Sequence, residues 1–230
     1  MSTEEALDAY TELSSTVFSK KKWRIQHGSY KVTKLQEAIE KIVEKYGDAH
    51  DPNEIMLDPR QDCCKTAIAT PSLGLTLFRT HESQPLQIDA LCKIPIWQAA
   101  RATTAASTFF KPMLIGRSNA EISYVDGAMG HNNPIKAVLE EAETACDHSG
   151  SIESQNIEYI TSIGTGMPQN VSLKAPSIIE RALVPINTVR AIVRIITDAN
   201  DVAEKMEKHF SMMPGVYFRL NVGQGLQVSC

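Results

Sequence analysis

Apolar residues recur every three or four positions along the first fifty residues, which is the spacing of one face of an α-helix. Ser2 and Glu5 have the spacing of a capping box, so we expect the first helix to begin almost at residue 1. A second amphipathic helix is predicted over residues 35–46, and Gly47 stands where a left-handed cap would end it. The apolar face of the first helix comprises Ala6, Leu7, Tyr10, Leu13 and Val17.

Beyond Cys64 the pattern changes to short β-favouring runs that alternate with helical ones. Strands are predicted at residues 66–70, 75–79, 121–125, 157–163 and 216–222. Helices are predicted at residues 96–106, after an Asn133-Pro134 cap, and along an apolar face that runs from Val189 to Phe210, with a long loop at residues 169–185. This alternation predicts an α/β sheet that helices cover on both sides.

Composition narrows the class of protein. With 230 residues, 43% of them hydrophobic, the chain can form one domain with a substantial core. Its net charge of -4 is scattered, and the lysines at 20–22 form the only compact basic run, so we expect no nucleic-acid partner. Those lysines are typical of a solvated helix end, with contact to anionic lipid headgroups as the alternative.

Cysteine usage and hydropathy bear on location. The 5 cysteines are an odd number without the paired spacings of a zinc site or a disulfide framework, so we expect a reducing compartment and no metal. No apolar run approaches the roughly 20 residues that span a bilayer. The prediction is a soluble, cytoplasmic protein whose membrane contact is peripheral.

Asp126 is the best candidate for chemistry. The predicted strand at 121–125 delivers it to a glycine turn ahead of a capped helix. Ligands of open α/β sheets bind at the carboxyl ends of strands, where a carboxylate can act as a base or orient another group. An isolated Asp-Gly pair, however, more often forms a turn that the aspartate side chain caps.

Three ordered segments together are more specific. Residues 97–112 read W-x-A-A-R-A-T-x-A-A-x-T-F-F-x-P, and V-D-G-A-x-x-x-N-N-P and S-I-G-T-G follow at residues 125–134 and 162–166. This order and spacing resemble the patatin-like phospholipase family, with the fungal-style members nearest around residues 18–22. The resemblance implies a three-layer α/β/α sandwich and a hydrolase of lipid or other acyl esters, with a catalytic serine–aspartate dyad and no metal or cofactor. Asp126 matches the dyad aspartate and general base, Gly127 allows the tight turn, and Ala128 replaces the family's second glycine.

The chain departs from the family at the nucleophile. It contains no G-x-S-x-G elbow and no glycine-rich loop to supply oxyanion-stabilising amides. Ser118 and Ser72 lie in partial matches only, and we expect neither to be a nucleophile. In the family both missing segments precede the helix that opens this sequence. We therefore expect residues 1–230 to be a partial patatin-like domain, incomplete at its N-terminus, from a protein that could carry fused domains.

Other interpretations stay open at this stage. The chain could be a catalytically inactive module that binds lipid or a regulatory partner, or an unrelated α/β protein that binds a nucleotide at the turn formed by residues 162–166. His131 could be a third catalytic member, although loop packing is the expected role. Arg101 is predicted to be an internal ion-pair partner, with headgroup binding as its alternative.

Overall fold

The chain divides into two units, Met1–Met129 and Gly130–Cys230. The computed structural model describes residues 1–19, 30–60, 64–72, 74–81, 93–106, 109–117, 119–145, 157–164 and 199–221. That residues 1–230 belong to one partial domain stays a prediction.

The first helix, α1 (Thr3–Phe18), begins at the predicted capping box. The Glu5 amide donates to Ser2 Oγ at 3.2 Å, and the Ser2 amide donates to Glu5 Oε2 at 2.6 Å. The predicted apolar face is only partly right. Val17 is buried, whereas Leu7 and Tyr10 are 65% and 68% exposed.

The second helix, α2 (Val32–Tyr46), buries three residues of its predicted face, which pack with α1 and an aromatic cluster. The left-handed cap at Gly47 was wrong, because the φ of this residue is -69° and its backbone is extended. Gly47 is instead needed for a close approach: a Cβ there would lie 2.5 Å from the Val43 carbonyl oxygen. The buried core residues of this cluster are Val17, Tyr30, Leu35, Ile39, Val43 and Phe110.

Two antiparallel hairpins follow in the first unit. The predicted strands β1 (Ala67–Pro71) and β2 (Leu75–Arg79) pair with each other. β3 (Met113–Arg117), which we did not predict, pairs with the predicted β4 (Ala120–Tyr124). The pairing buries Tyr124, whose ring centroid lies 5.3 Å from that of Phe78 in β2.

Helix α3 (Ile96–Thr103) lies between the two hairpins in the chain and packs against both β1 and β3. It ends three residues before the predicted boundary at Ala106. Its small buried residues Ala99 and Ala102 belong to a second core cluster with Phe78 and Tyr124. The C-terminal end of α3 is thereby fixed beside the end of β1.

The second unit begins within α4 (Ala128–His131) and continues into α5 (Ile135–Ala145). Pro134 was predicted to be the first residue of this helix, but it directly precedes α5. The Asn133 side chain, expected to cap this helix, donates from Nδ2 to the Ala199 carbonyl at 3.4 Å.

Two parallel strands complete this unit. β5 (Ile160–Ile163) pairs with β6 (Tyr217–Leu220), so both predicted strands are present but shorter. Residues 199–209 are helical and a 3₁₀ turn, Phe210–Met212, follows. The predicted apolar face is buried at Ala199, Ala203, Met206 and Phe210. Its positions from 189 to 196, and the predicted loop at 169–185, lie outside the described residues.

Both units contain helices and strands, so the predicted α/β class is confirmed. The described strands pair in three two-stranded sheets, two antiparallel and one parallel. Within the described ranges, no helix combines the length and hydropathy that crossing a membrane requires.

Candidate active site

Asp126 lies between β4 and α4, where neighbouring segments hold its backbone. The Asp126 amide donates to the Ala105 carbonyl at 3.2 Å, and the Gly127 amide donates to the Thr103 carbonyl at 3.0 Å. Both acceptors come from the end of α3 or just beyond it. The position of the Asp126 backbone therefore depends on α3.

The Asp126 carboxyl group has one fixed oxygen and one open oxygen. Oδ1 accepts a hydrogen bond from the Ala128 amide at 2.8 Å, which is the self-capped turn expected of an isolated Asp-Gly pair. Among the described residues, Oδ2 has no hydrogen-bond partner. Burial raises the pKa of this carboxyl above its ordinary value, and the Ala128 hydrogen bond opposes the shift. The group is thus a stronger base than an exposed aspartate.

Gly127 is enclosed on the side of β1. A Cβ on this residue would lie 2.6 Å from the Ala69 carbonyl oxygen and 2.8 Å from Thr103 Oγ1. Two hydrogen bonds join the same end of β1 to Val125, the residue before Asp126. Thr70 Oγ1 donates to the Val125 carbonyl at 2.6 Å, and the Val125 amide donates to the Pro71 carbonyl at 3.2 Å. Only glycine fits at position 127 without a shift of the backbone.

Comparison with known proteins assigns the family. The model of the patatin-like phospholipase family matches residues 1–139, more than half of the 230 residues. The chain belongs to the patatin-like phospholipase family. A relative named patatin-like phospholipase 1, from Plasmodium falciparum (isolate NF54), is 30% identical over 148 residues, 58% of this chain. The chain spans 21% of the length of that relative.

Membership confirms the predicted family and the α/β fold class that it implies. Patatin-like phospholipases act on acyl esters of lipids, which makes a lipid hydrolase the relevant class of enzyme. The matched range includes all three residues of the predicted motif, Asp126, Gly127 and Ala128. Their catalytic roles stay predictions.

Thr103 is a site residue that sequence reasoning missed. Its hydroxyl donates to the Ala69 carbonyl at 3.0 Å, and its own carbonyl accepts from the Gly127 amide. One residue of α3 thus ties β1 to the turn that carries Asp126. The sequence signal that pointed to Thr103 was its position in the A-R-A-T-x-A-A run, which resembles the patatin-like family.

We expect Thr103→Val to loosen this turn, because valine keeps the shape but leaves the Ala69 carbonyl without its donor. The loss of unfolding free energy should be about 1–2 kcal/mol, measured by urea denaturation. Thr103→Ser keeps the hydroxyl and serves as the matched control, with a smaller loss. Equal losses in the two variants would show that the hydroxyl is unimportant.

Among the described residues, Arg101 does not form the predicted ion pair. The residue is 1% exposed, and Nη2 donates to the Lys111 carbonyl at 2.6 Å while the guanidinium lies over the Phe110 ring. Nε and Nη1 are buried and have no hydrogen-bond partner in the part of the chain described. The sequence showed an arginine on an apolar helix, and the nearest acceptor proved to be a backbone carbonyl.

The serines of the two partial elbows are associated with hairpins. Ser72 follows β1, and its Oγ lies 3.1 Å from Thr76 Oγ1 on β2. Ser118 is outside the described residues, but it falls between β3 and β4, where a nucleophile elbow would require a following helix. His131 is the half-buried last residue of α4, and its role stays a prediction.

The raised pKa of Asp126 has a consequence for stability. Because this pKa is higher in the folded state, the associated stability is present below about pH 4 and is lost as pH rises through the raised pKa. Asp126→Asn keeps the acceptor for Ala128 but carries no charge. The variant should match the wild type in acid and exceed its unfolding free energy at pH 7, because the folded wild type must then hold a charged carboxylate in a partly buried site.

Urea denaturation between pH 4 and pH 7.5 would measure this difference. Asp126→Ala is the control, because it removes the charge and also the acceptor, which costs about 1 kcal/mol at every pH. If Asp126→Asn were less stable than the wild type at pH 7, the ionised carboxylate would not be under strain from burial.

Proposed function

We propose that this chain supplies the general base of a lipid acyl ester hydrolase, and that Asp126 is that base. The observation that carries the proposal is the state of its carboxyl group. One oxygen is held by the Ala128 amide, the other lacks a partner among the described residues, and burial raises the pKa. A base of this kind suits proton transfer near neutral pH.

The proposed reaction has two half-reactions. Asp126 Oδ2 takes the proton of a serine hydroxyl as the serine oxygen bonds to the ester carbonyl carbon, and the proton then passes to the departing alcohol. In the second half, Asp126 takes a proton from water as the water oxygen bonds to the acyl carbon. The bond between the acyl carbon and the serine oxygen then breaks, the proton passes to the serine oxygen, and the fatty acid is released. Backbone amides would stabilise the oxyanion formed in each half.

The nucleophile must come from residues other than these 230. No G-x-S-x-G segment and no glycine-rich loop occurs in the sequence. Under the proposal, a strand, elbow and helix carrying both would have to lie within hydrogen-bond reach of Asp126 Oδ2. The chain by itself should therefore have little or no hydrolase activity.

An assay of the isolated chain tests this expectation. We expect no turnover of p-nitrophenyl butyrate above the buffer rate, and no labelling by a fluorophosphonate serine probe. Asp126→Asn and the exposed-residue control Asp8→Asn should give the same null result. Labelling together with turnover that is lost only in Asp126→Asn would mean that a serine of this chain is the nucleophile.

The absence of the elbow also favours a second candidate, a catalytically inactive module that binds lipid or a regulatory partner. We propose a cytoplasmic location for either function, with peripheral contact at lipid surfaces; the cysteine pattern supports this. Flotation with phospholipid vesicles distinguishes the two candidates when it is combined with the assay. Binding without turnover, in a form of the protein that carries a G-x-S-x-G segment, would favour the inactive module.

A further inference from the structure

Ser162 and Arg219 form a polar pair at the ends of the parallel strands in the second unit. They are direct neighbours in the register of β5 and β6. Arg219 Nη1 donates to Ser162 Oγ at 2.7 Å, and Ser162 is only 9% exposed. They lie on the same face of the two strands as Ile160 and Tyr217, which pack on the apolar core. The guanidinium group of Arg219 thus lies at the edge of this core, where the Ser162 hydroxyl fixes its position.

Gly164 lies directly against this pair. A Cβ there would lie 2.7 Å from Arg219 Nη2 and 2.5 Å from Asn221 Oδ1, so both side chains converge on one point. The Gly164 amide donates to the Leu220 carbonyl at 2.7 Å, which fixes the backbone just beyond β5. The converging groups lie at the carboxyl ends of parallel strands, the edge at which α/β sheets bind ligands.

The positive charge of Arg219 is not balanced by a carboxylate among the described residues. Among the described residues, no carboxylate lies within ion-pair distance of Arg219, and its remaining N–H groups have no acceptor. Arg219 is half-buried, so part of its side chain is exposed to solvent. The Ser162 hydroxyl accepts from Arg219, and its own proton has no acceptor in the described part of the chain. A guanidinium fork and a hydroxyl donor oriented in this way are suited to phosphate oxygens.

We propose that Ser162 and Arg219, beside Gly164, form a binding site for a phosphate group. Arg219 supplies the charge and two parallel donors, Ser162 fixes the guanidinium and donates a third hydrogen bond, and Gly164 lets the Arg219 side chain approach the backbone. The phosphate could belong to a lipid headgroup or be free in solution. The site goes beyond the proposed catalytic base, and neither depends on the other.

Titration of the ¹⁵N-labelled chain by NMR tests the site. Inorganic phosphate should shift the Arg219 Nε–H and Gly164 amide signals to saturation, with a Kd on the order of 1 mM at low salt. Arg219→Gln should weaken binding at least tenfold, and Arg219→Lys should restore only part of the loss. Arg117→Gln, at an exposed arginine of β3, is the matched control and should bind as the wild type does.

A second titration identifies the source of the phosphate. Dihexanoyl phosphatidic acid, below its micelle concentration, should bind tenfold or more tightly than inorganic phosphate if the ligand is a lipid headgroup; equal affinities would indicate free phosphate. Ser162→Ala should weaken binding about threefold. If Arg219→Gln does not fold, Ser162→Ala takes its place in the test, with its fold checked by circular dichroism. Shifts that fail to saturate, or that are the same in Arg219→Gln and Arg117→Gln, would overturn the proposal.

Discussion

Asp126→Asn should lower kcat by about 10³-fold in a form of the protein that carries a G-x-S-x-G segment ahead of residue 1. Asparagine keeps the oxygen that accepts from the Ala128 amide, so the turn is preserved while the base is lost. KM should change little, because the carboxylate acts in proton transfer and does not bind the acyl chain. Steady-state hydrolysis of a short-chain ester gives both constants.

The control for this prediction is Asp8→Asn, which replaces an exposed carboxylate of α1. Its kcat should equal that of the wild type. The pH dependence adds a second test, because kcat should fall as pH drops through the raised pKa of Asp126. If Asp126→Asn kept more than a tenth of the activity, the proton would have to go to another group.

Local signals in the sequence predicted those parts of the fold that local physics decides. The capping box at Ser2 is formed as expected, because both of its hydrogen bonds lie within the first turn. The hairpin of β1 and β2 was equally readable, since β-favouring runs flank a turn with proline and glycine. Three ordered segments, at residues 97–112, 125–134 and 162–166, identified the family, and the comparison confirmed it over residues 1–139.

Contacts between segments that are distant in sequence could not be predicted from the residue pattern. Helical spacing assigned Leu7 and Tyr10 to the buried face of α1, but α2 covers only part of that face. Gly47 was expected to turn left-handed, whereas its real constraint is the Val43 carbonyl. Periodicity describes one element at a time and does not indicate which neighbour will cover it.

The same limit applies to the candidate site. Asp126 itself could be chosen, because the strand that precedes it and the glycine that follows it are adjacent in sequence. The contact made by Thr103 could not be predicted, although the residue lies in the patatin-like run, since its hydroxyl reaches a carbonyl 34 residues earlier in the chain. Arg101 was assigned a carboxylate partner because buried charges usually need one, yet the acceptor is the Lys111 carbonyl. Side chains that hold a site together thus depend on tertiary packing.

Gly127→Ala should destabilise the protein by about 3 kcal/mol, the upper end of the usual cost of overpacking. The new Cβ would lie 2.6 Å from the Ala69 carbonyl oxygen, which belongs to the backbone of β1 and cannot rotate away. The turn must therefore move, and the hydrogen bonds of Asp126 to Ala105 and Ala128 should weaken with it. Urea denaturation measures the loss, and NMR titration of the carboxyl should show the pKa of Asp126 nearer its ordinary value.

Gly74→Ala is the control, because nothing lies within 4 Å of its Cβ position, and its unfolding free energy should stay within about 0.5 kcal/mol of the wild type. Equal stability of the two variants would mean that the turn at Asp126 has room for a side chain and is not held by β1.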